Sequence, residues 1–283
     1  MPTKVKEEIN IYDYLRWRKV FPTVWCSGCG IGTITGAIIR AVASLGIPKD
    51  NVSLISGIGC SSRMPIYVDF NTLHTTHGRA LAFATGVKLA NPEMTVIVVS
   101  GDGDGLAIGG NHFIHTARRN IDITMILINN YIYGMTGGQV APTTPIGAKA
   151  HTAPYGNIDP PFDAVKLAMA AGATFVARST VYHIVQTENY IKKALMHKGF
   201  SFVEIMSQCP IIFGRLNDMP KPTDMLEWQR KNAVPLSKAK NMTEDELKGK
   251  IIIGIFKEDT SRKEYTEAYA ELVKKVQLKM SVE

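Results

Sequence analysis

The chain has 283 residues, of which 45 % are hydrophobic and 20 % charged, and its formal net charge is +7. It is long enough to bury a substantial core, as one large α/β domain or two small ones, and its composition gives no sign of disorder. The basic residues are spread along the sequence without a dense run. The charge therefore favours an acidic protein partner at least as much as nucleic acid, and we predict no nucleic-acid binding.

The sequence shows no targeting or membrane segment. Residues 1–19 alternate charge with isolated apolar residues and lack an apolar core of signal-peptide length. No later segment reaches the ~18 uninterrupted apolar residues expected of a membrane span. We therefore expect a cytoplasmic protein without membrane contact. A reducing cytoplasm argues against disulfides among the four cysteines, which are Cys26, Cys29, Cys60 and Cys209.

Predicted strands and helices alternate along most of the chain. After an N-terminal arm at residues 1–25, apolar β-branched runs predict strands and helical periodicity predicts helices. In chain order these are a helix at 34–45, a strand at 52–56, a helix at 79–90, strands at 95–100 and 123–128 around a helix that ends near 120, a helix at 161–171, a strand at 174–177, a helix at 182–197 and a strand at 200–206. This pattern predicts an α/β fold with about five parallel strands in a mostly parallel central sheet flanked by helices.

Changes in composition suggest the domain boundaries. Residues 26–219 form the predicted α/β domain, and residues 220–283, which are more charged and less periodic, form a C-terminal extension. Within the domain, residues 133–161 are a loop rich in glycine, proline and threonine. A loop of this length is expected to be functional rather than a simple connector.

The C-terminal extension is predicted to contain two helix starts and a strand. Thr243 with Glu246, and Ser261 with Glu264, have the spacing of capping boxes that open two late helices. Residues 251–256 are an apolar run that can add an edge strand to the sheet.

A glycine-rich turn marks the most informative stretch. The run GDGDG at Gly101–Gly105 follows one predicted strand, and Asn129 and Asn130 follow the next. Strand, turn, helix and strand form a parallel crossover unit, so Asp102 and Asn130 would lie side by side at the carboxyl edge of the sheet, where ligands bind. Asp102, Asn130 and the carbonyl of Ile132 offer the oxygen ligands that suit Mg²⁺, and the glycines let the backbone approach phosphates.

This stretch resembles the signature of thiamine-diphosphate enzymes, in which GDG is followed about thirty residues later by NN. Here Asp102 and Asn130 are 28 positions apart. The alternative is a glycine turn followed by an ordinary pair of asparagines.

The four cysteines fall at the ends of elements that frame the same sheet edge. Cys26 and Cys29 form a CxxC pair with glycines beside them, Cys60 follows the strand at 52–56, and Cys209 follows the last core strand. Four thiolates converging from one edge can hold an iron–sulfur cubane or a zinc ion. The alternative is that Cys60 and Cys209 are small buried residues. A thiamine enzyme that oxidises an acyl group needs an electron acceptor nearby, and zinc has no redox chemistry.

Taken in order, the motifs resemble the β subunit of the 2-oxoacid:ferredoxin oxidoreductases over roughly residues 10–256. They are WCxGCG, GxGC-S, THGRA, GDGD, NN-x-x-YG-x-TGGQ and QCP. The resemblance implies that a [4Fe–4S] cluster is ligated by Cys26, Cys29, Cys60 and Cys209, and that Mg²⁺ is bound by Asp102, Asn130 and the carbonyl of Ile132. It also implies contacts to the diphosphate and thiazolium from Ile58, Gly59, Cys60, Ser61, His77, Gly103, Asp104, Gly134 and Met135. Without the resemblance, His77 would be taken for a satisfied surface or core histidine.

The resemblance also implies a reaction and a set of partners. The reaction is the coenzyme A-dependent oxidative decarboxylation of a 2-oxoacid to acyl-CoA and CO₂, with electrons passing through the cluster to ferredoxin. The glutamate that activates thiamine belongs to a separate α subunit, so the chain is expected to be active only with that partner, whether or not further small subunits join. The loop YGMTGGQVAPTTP resembles members acting on 2-oxoglutarate. Arg63 is the candidate partner of the substrate carboxylate, and its alternative is a surface ion pair.

Two rival functions remain open from the residues alone. One is a non-oxidative thiamine-diphosphate decarboxylase subunit with zinc in the cysteine site. The other is a non-catalytic zinc-binding scaffold whose GDG is only a turn. Bound iron and sulfide would exclude both, and bound thiamine diphosphate would exclude the scaffold.

Overall fold

An eight-stranded sheet is the centre of the computed structural model, which describes residues 9–16 and 21–280. The strands in chain order, including a separate two-stranded hairpin formed by β5 and β6, are β1 (Val52–Ser56), β2 (Asn71–His74), β3 (Thr95–Gly101), β4 (Thr124–Asn129), β5 (Ile132–Tyr133), β6 (Gln139–Val140), β7 (Phe175–Thr180), β8 (Ser201–Met206), β9 (Ala233–Pro235) and β10 (Ile251–Glu258). The large sheet has the order β2-β1-β3-β4-β8-β7-β10-β9. Its strands run parallel from β2 to β7, β10 is antiparallel to β7, and β9 is parallel to β10. The predicted mostly parallel sheet is therefore confirmed.

Helices cover both faces of this sheet. They are α1 (Ile31–Ser44), α2 (Ala80–Ala90), α3 (Gly110–Arg119), α4 (Ala164–Ala170), α5 (Ile184–Met196), α6 (Pro222–Asn232), α7 (Leu236–Ala239), α8 (Glu244–Leu247) and α9 (Tyr265–Met280). Helices α1 and α5 pack with Ile97 and Val99 of β3 in one core cluster, and α2, α3 and α4 pack with Val96 and Val98 in the other. Successive side chains of a strand point to opposite faces, so an apolar run such as β3 supplies both cores.

The sheet differs from the predicted one at both edges. Strand β2 adds a sixth parallel strand, and its sequence, NTLH, lacks the apolar alternation by which strands are recognised. Strand β10 confirms the apolar run at 251–256, but it lies between β7 and β9, so the predicted edge position is wrong. In the arm, Leu15 bridges to Val68. The remaining arm residues 1–8 and 17–20 lie outside the described part of the chain.

One of the two predicted capping boxes is confirmed. The Thr243 hydroxyl accepts from the backbone N–H of Glu246, whose carboxylate accepts from the backbone N–H of Thr243. The second is wrong because α9 begins only at Tyr265. The buried carboxylate of Glu264 accepts hydrogen bonds from the backbone N–H groups of the first helical turn, so Glu264 itself caps the helix, and Ser261 instead donates to Asp259.

The parallel register brings four chain segments to one edge. Ser56 of β1 pairs with Val99, Gly101 of β3 pairs with Ile128, and Asn129 of β4 pairs with Met206. The residues that follow these strands are therefore neighbours, as expected at the carboxyl edge of a parallel sheet. Among the described helices, none combines the length and the apolar character needed to cross a membrane.

Candidate functional site

A pocket opens at this carboxyl edge, and we call it the strand-end pocket. It is lined by residues from the turns after β1, β3 and β4, from the segment before α2 and from the β5–β6 hairpin: Ile58, Gly59, Cys60, Ser61, His77, Gly101, Asp102, Gly103, Asp104, Ile128, Asn130, Ile132, Tyr133, Gly134, Met135 and Thr136. Every residue predicted to contact the cofactor or Mg²⁺ lies in this lining. The structure thus brings together residues that are up to 77 positions apart in the chain, from Ile58 to Met135.

Asp102 lies buried at the end of β3, only 2 % exposed. Its carboxylate accepts a hydrogen bond of 2.5 Å from the hydroxyl of Thr143. Burial raises the pKa of Asp102 to about 7, although the hydrogen bonds from Thr143 and from backbone N–H groups act in the opposite direction. A cation beside this carboxylate would favour its ionised form.

The two asparagines after β4 have different roles. The amide of Asn129 is buried and donates to Glu204 (2.8 Å), while its oxygen accepts from the backbone N–H of Tyr131 (3.1 Å). Asn130 lines the pocket, and its side-chain oxygen accepts a weak bond from the N–H of Ile132 (3.3 Å). Tyr131, which lies between Asn130 and Ile132, has φ +67°, a left-handed conformation that is uncommon for residues other than glycine. The turn that presents Asn130 and Ile132 therefore carries backbone strain.

A buried ionic network behind this turn was not predicted from the sequence. Glu204, only 1 % exposed on β8, accepts from the Arg178 guanidinium at 2.6 Å, and Arg178 also bonds Asp163 at 2.5 Å. Burial alone would lower the pKa of Arg178, but the carboxylates of Glu204 and Asp163 raise it overall. The available sequence signal was a glutamate inside the otherwise apolar strand SFVEIM, since charged residues are almost never fully buried unless paired.

Asp104 is the most heavily hydrogen-bonded carboxylate of the pocket. One oxygen accepts from the backbone N–H groups of Ile58 (3.0 Å) and Gly78 (2.7 Å) and from Nδ1 of His77 (2.6 Å). The other accepts from the hydroxyl of Ser100 at 2.5 Å. The side chain is buried, and its four donors come from three separate segments of the chain.

A second cavity of about 400 Å³, which we call the cysteine cavity, adjoins the strand-end pocket. It contains all four cysteines and is lined by Val24, Trp25, Cys26, Cys29, Cys60, Arg63, Ile66, Asn130, Gly134, Met135, Cys209, Pro210 and Ile211. Four residues line both spaces: Cys60, Asn130, Gly134 and Met135. The two sites therefore share a wall.

Three thiols of this cavity, those of Cys29, Cys60 and Cys209, are partly buried, and Cys26 is exposed. All four cysteines are free, and burial raises the pKa of Cys29 to about 12 and that of Cys60 to about 11. Thiols with raised pKa values stay protonated near neutral pH, and metal binding releases their protons. Within the described part of the chain, no three His, Cys, Asp or Glu side chains are grouped so as to hold one metal ion.

Glycines leave room around these sulfurs. A Cβ on Gly134 would lie 3.5 Å from the Cys60 sulfur and 3.9 Å from the Cys209 sulfur. Gly28, with φ +79°, lies against Pro222 at the start of α6, so a side chain there would overlap the C-terminal extension. The Trp25 indole donates to the Cys60 carbonyl at 2.8 Å and ties the CxxC segment to the turn after β1.

Arg63 lies in the short 3-10 turn Ser61–Ile66 and lines the cysteine cavity rather than the strand-end pocket. Arg63 is a partly buried residue, and its side chain forms no hydrogen bond or ion pair with another described residue. The surface ion pair that was its alternative is thus absent from the described part of the chain. A cation that is partly buried and unpaired is available to an anionic ligand.

Comparisons with known proteins agree on one family. Residues 57–205 match the model of the thiamine pyrophosphate enzyme C-terminal TPP-binding domain. The chain is 52 % identical over 263 residues to the 2-oxoglutarate synthase subunit KorB of Methanocaldococcus jannaschii, covering 93 % of this chain and 97 % of that protein. It is 50 % identical over 266 residues to the KorB subunit of Archaeoglobus fulgidus, covering 94 % of each.

The fold leads to the same family. The chain is similar to the 2-oxoglutarate:ferredoxin oxidoreductase of Magnetococcus marinus, solved with 2-oxoglutarate, coenzyme A and succinyl-CoA bound, with a TM-score of 0.83 and 36 % identity. The match covers 96 % of this chain and 92 % of that chain. The chain therefore belongs to the β subunits of the 2-oxoacid:ferredoxin oxidoreductases, enzymes that bind thiamine diphosphate.

Proposed function

We propose that the chain is the β subunit of a 2-oxoglutarate:ferredoxin oxidoreductase that carries the diphosphate-binding half of the thiamine site and a [4Fe–4S] cluster. The reaction is the coenzyme A-dependent oxidative decarboxylation of 2-oxoglutarate, or of another 2-oxoacid, to acyl-CoA and CO₂, and ferredoxin takes the electrons. The observation that carries this proposal is the wall shared by the strand-end pocket and the cysteine cavity. An acyl group oxidised in the first lies beside an electron acceptor held in the second.

The donor set of the strand-end pocket fits Mg²⁺ and a diphosphate. Asp102 would supply an anionic oxygen, Asn130 an amide oxygen and Ile132 a backbone carbonyl, which are the hard ligands that Mg²⁺ takes beside phosphate oxygens and water. Gly103 has no side chain, and the Tyr133 ring packs where such a side chain would stand, so this glycine makes room for the aromatic ring.

The cysteine cavity fits an iron–sulfur cubane better than zinc. Zinc draws four sulfurs onto one ion at ~2.3 Å each, which leaves them within van der Waals contact of one another. In a cubane each thiolate binds a different iron, so the sulfurs stand further apart around a larger space. The cavity of about 400 Å³ offers the larger space that a cubane needs. The free thiols also fit a reducing cytoplasm, where we place the protein.

The residues of this chain mainly hold the cofactor and the substrate in place and limit the access of water to them. Thiamine diphosphate, when bound, supplies the carbanion stabilisation that decarboxylation needs. Thr143 fixes the Asp102 carboxylate toward the proposed metal, and Ile128 and Met135 give the pocket apolar walls that limit access of water. Arg63 is the proposed partner of the distal carboxylate of the substrate, through bidentate hydrogen bonds.

A partner subunit completes the site. The name β subunit in this family implies an α subunit. The residues that line the strand-end pocket include two aspartates but no glutamate, and the glutamate that activates the aminopyrimidine is proposed to come from the α subunit. Ferredoxin and coenzyme A are the further proposed partners.

The proposal is tested with anaerobically purified chain, alone and together with its α subunit. The complex should reduce ferredoxin or a dye only when both 2-oxoglutarate and coenzyme A are present, and the isolated chain should show no turnover. Turnover without coenzyme A, or zinc in place of iron and sulfide, would instead support a non-oxidative decarboxylase.

A further inference from the structure

The carboxylate of Asp104 accepts four hydrogen bonds from protein donors. One oxygen of Asp104 accepts from the N–H groups of Ile58 and Gly78 and from Nδ1 of His77, and the other accepts from the Ser100 hydroxyl. The negative charge of Asp104 would also repel an anionic diphosphate placed beside it. Asp104 therefore lines the pocket without being suited to contact the diphosphate directly, which was the role that the sequence resemblance implied.

The Asp104 carboxylate contacts His77, whose side chain also lines the pocket. A carboxylate only accepts, so the bond of 2.6 Å requires the proton on Nδ1 of His77. The ring stands edge-on to Tyr133, with centroids 6.2 Å apart and planes at 87°, and the Tyr133 hydroxyl is itself held by the Gly103 carbonyl at 3.1 Å. Nε2 on the far side of the ring has no partner among the described residues, and the side chain keeps 34 % of its surface exposed.

We propose that Asp104 is a positioning residue that holds the His77 ring by Nδ1–H, so that Nε2 is presented to the oxygens of the anionic diphosphate. The inference rests on the proposed thiamine site. Hydrogen bonds to phosphate, which is an ionised acceptor, are among the stronger ones in proteins.

The same carboxylate fixes the position of the histidine relative to the rest of the pocket. Ile58 belongs to the turn after β1, Gly78 precedes α2 and Ser100 ends β3, so three segments converge on one side chain. A Cβ at Gly57 would overlap the Asp104 oxygens, which explains the glycine at this position. His77 is thus tied to the turn that carries Ile58 through a common acceptor.

The test uses the chain assembled with its α subunit, freed of cofactor, in saturating Mg²⁺. The variants are His77→Gln, Asp104→Asn and the double variant, and the matched control is His74→Gln, a histidine of β2 outside the pocket. Two probes are titrated by calorimetry: thiamine diphosphate and magnesium pyrophosphate, which carries the anion without the rings. Unfolding midpoints are measured for every variant.

We expect His77→Gln and Asp104→Asn each to weaken both probes by roughly tenfold or more, and the double variant to be no weaker than Asp104→Asn alone. The control should bind as the wild type does. Losses that add in the double variant, or a His77→Gln affinity within about twofold of wild type, would overturn the inference. If Asp104→Asn fails to fold, Asp104→Glu, which keeps the charge but moves the carboxylate from Nδ1, replaces it in the same double-variant comparison. Wild-type complex that binds neither probe would overturn the proposed function itself, and the inference with it.

Discussion

The hydroxyl of Thr143 donates a hydrogen bond of 2.5 Å to the carboxylate of Asp102, although the two residues are 41 positions apart. Thr143 is 3 % exposed and also lies 3.0 Å from the amide oxygen of Asn129. The long loop after the asparagine pair therefore turns back into the site and orients the carboxylate proposed to bind Mg²⁺. Residues that orient a metal ligand in this way influence metal affinity.

Replacing Thr143 with Val should weaken Mg²⁺-dependent binding of thiamine diphosphate by roughly tenfold to a hundredfold, because the Asp102 carboxylate loses its orienting donor. Titration of the cofactor-free complex with Mg²⁺ at fixed thiamine diphosphate measures this effect. The control is Thr116→Val in α3, because the hydroxyl of this buried threonine donates to the His112 carbonyl and not to a residue of the site. Equal Mg²⁺ affinities for Thr143→Val and wild type would contradict the role of Thr143.

Replacing Arg63 with Ala should raise the KM for 2-oxoglutarate at least tenfold, with a much smaller effect on a shorter 2-oxoacid that lacks the distal carboxylate. Arg63→Lys keeps the charge but loses the bidentate geometry, so it should restore only part of the affinity. Steady-state kinetics of the complex with both substrates measure this, with the exposed Arg215→Ala as the control. Equal changes of KM for both substrates would remove Arg63 from substrate recognition.

Cys26 and Cys60 should differ when each is replaced by Ser. Both line the cysteine cavity, so either change should lower bound iron and sulfide, but only Cys60 also lines the strand-end pocket. Cys26→Ser should therefore keep thiamine diphosphate affinity close to wild type, whereas Cys60→Ser should reduce it. Iron analysis and cofactor titration of the two variants test this. A Cys26→Ser complex with a full complement of iron would contradict the assignment of the four ligands.

Removing Arg178 should destabilise the fold strongly. Arg178→Met leaves the buried Glu204 without its cation, a change that costs about 3–5 kcal/mol for buried pairs. Adding Glu204→Leu should recover part of the loss, because the uncompensated charge is then gone. The unfolding midpoint of the complex reports both effects, and Arg230→Met, at an exposed ion pair, should barely change it. An Arg178→Met variant that is more stable than the variant carrying both Arg178→Met and Glu204→Leu would contradict this explanation.

The parts of the site that were predictable are those that directly follow strands. Asp102, Asn130 and Cys209 each come just after an apolar run, and the order of parallel strands brings such positions to one edge. The local pattern therefore sufficed to group them. Strand β2 was not predicted, because a short strand at the sheet edge needs no apolar alternation.

The parts that were missed depend on contacts across long stretches of sequence. Nothing local to Thr143 indicates that its hydroxyl meets Asp102, and nothing near Asp104 indicates that its carboxylate accepts from donors in three segments. The cap of α9 was misassigned for a related reason. Ser261 and Glu264 have capping-box spacing, but Ser261 pairs with Asp259 and leaves the cap to Glu264.

The central claim is that an electron acceptor in the cysteine cavity serves the reaction in the strand-end pocket. The most direct measurement is the anaerobic visible absorption spectrum of the complex before and after 2-oxoglutarate and coenzyme A are added. We predict a broad iron–sulfur band that bleaches when both are present, as the cluster is reduced. A band that stays unchanged in complex that contains thiamine diphosphate and Mg²⁺, or no band in undamaged protein, would contradict the account.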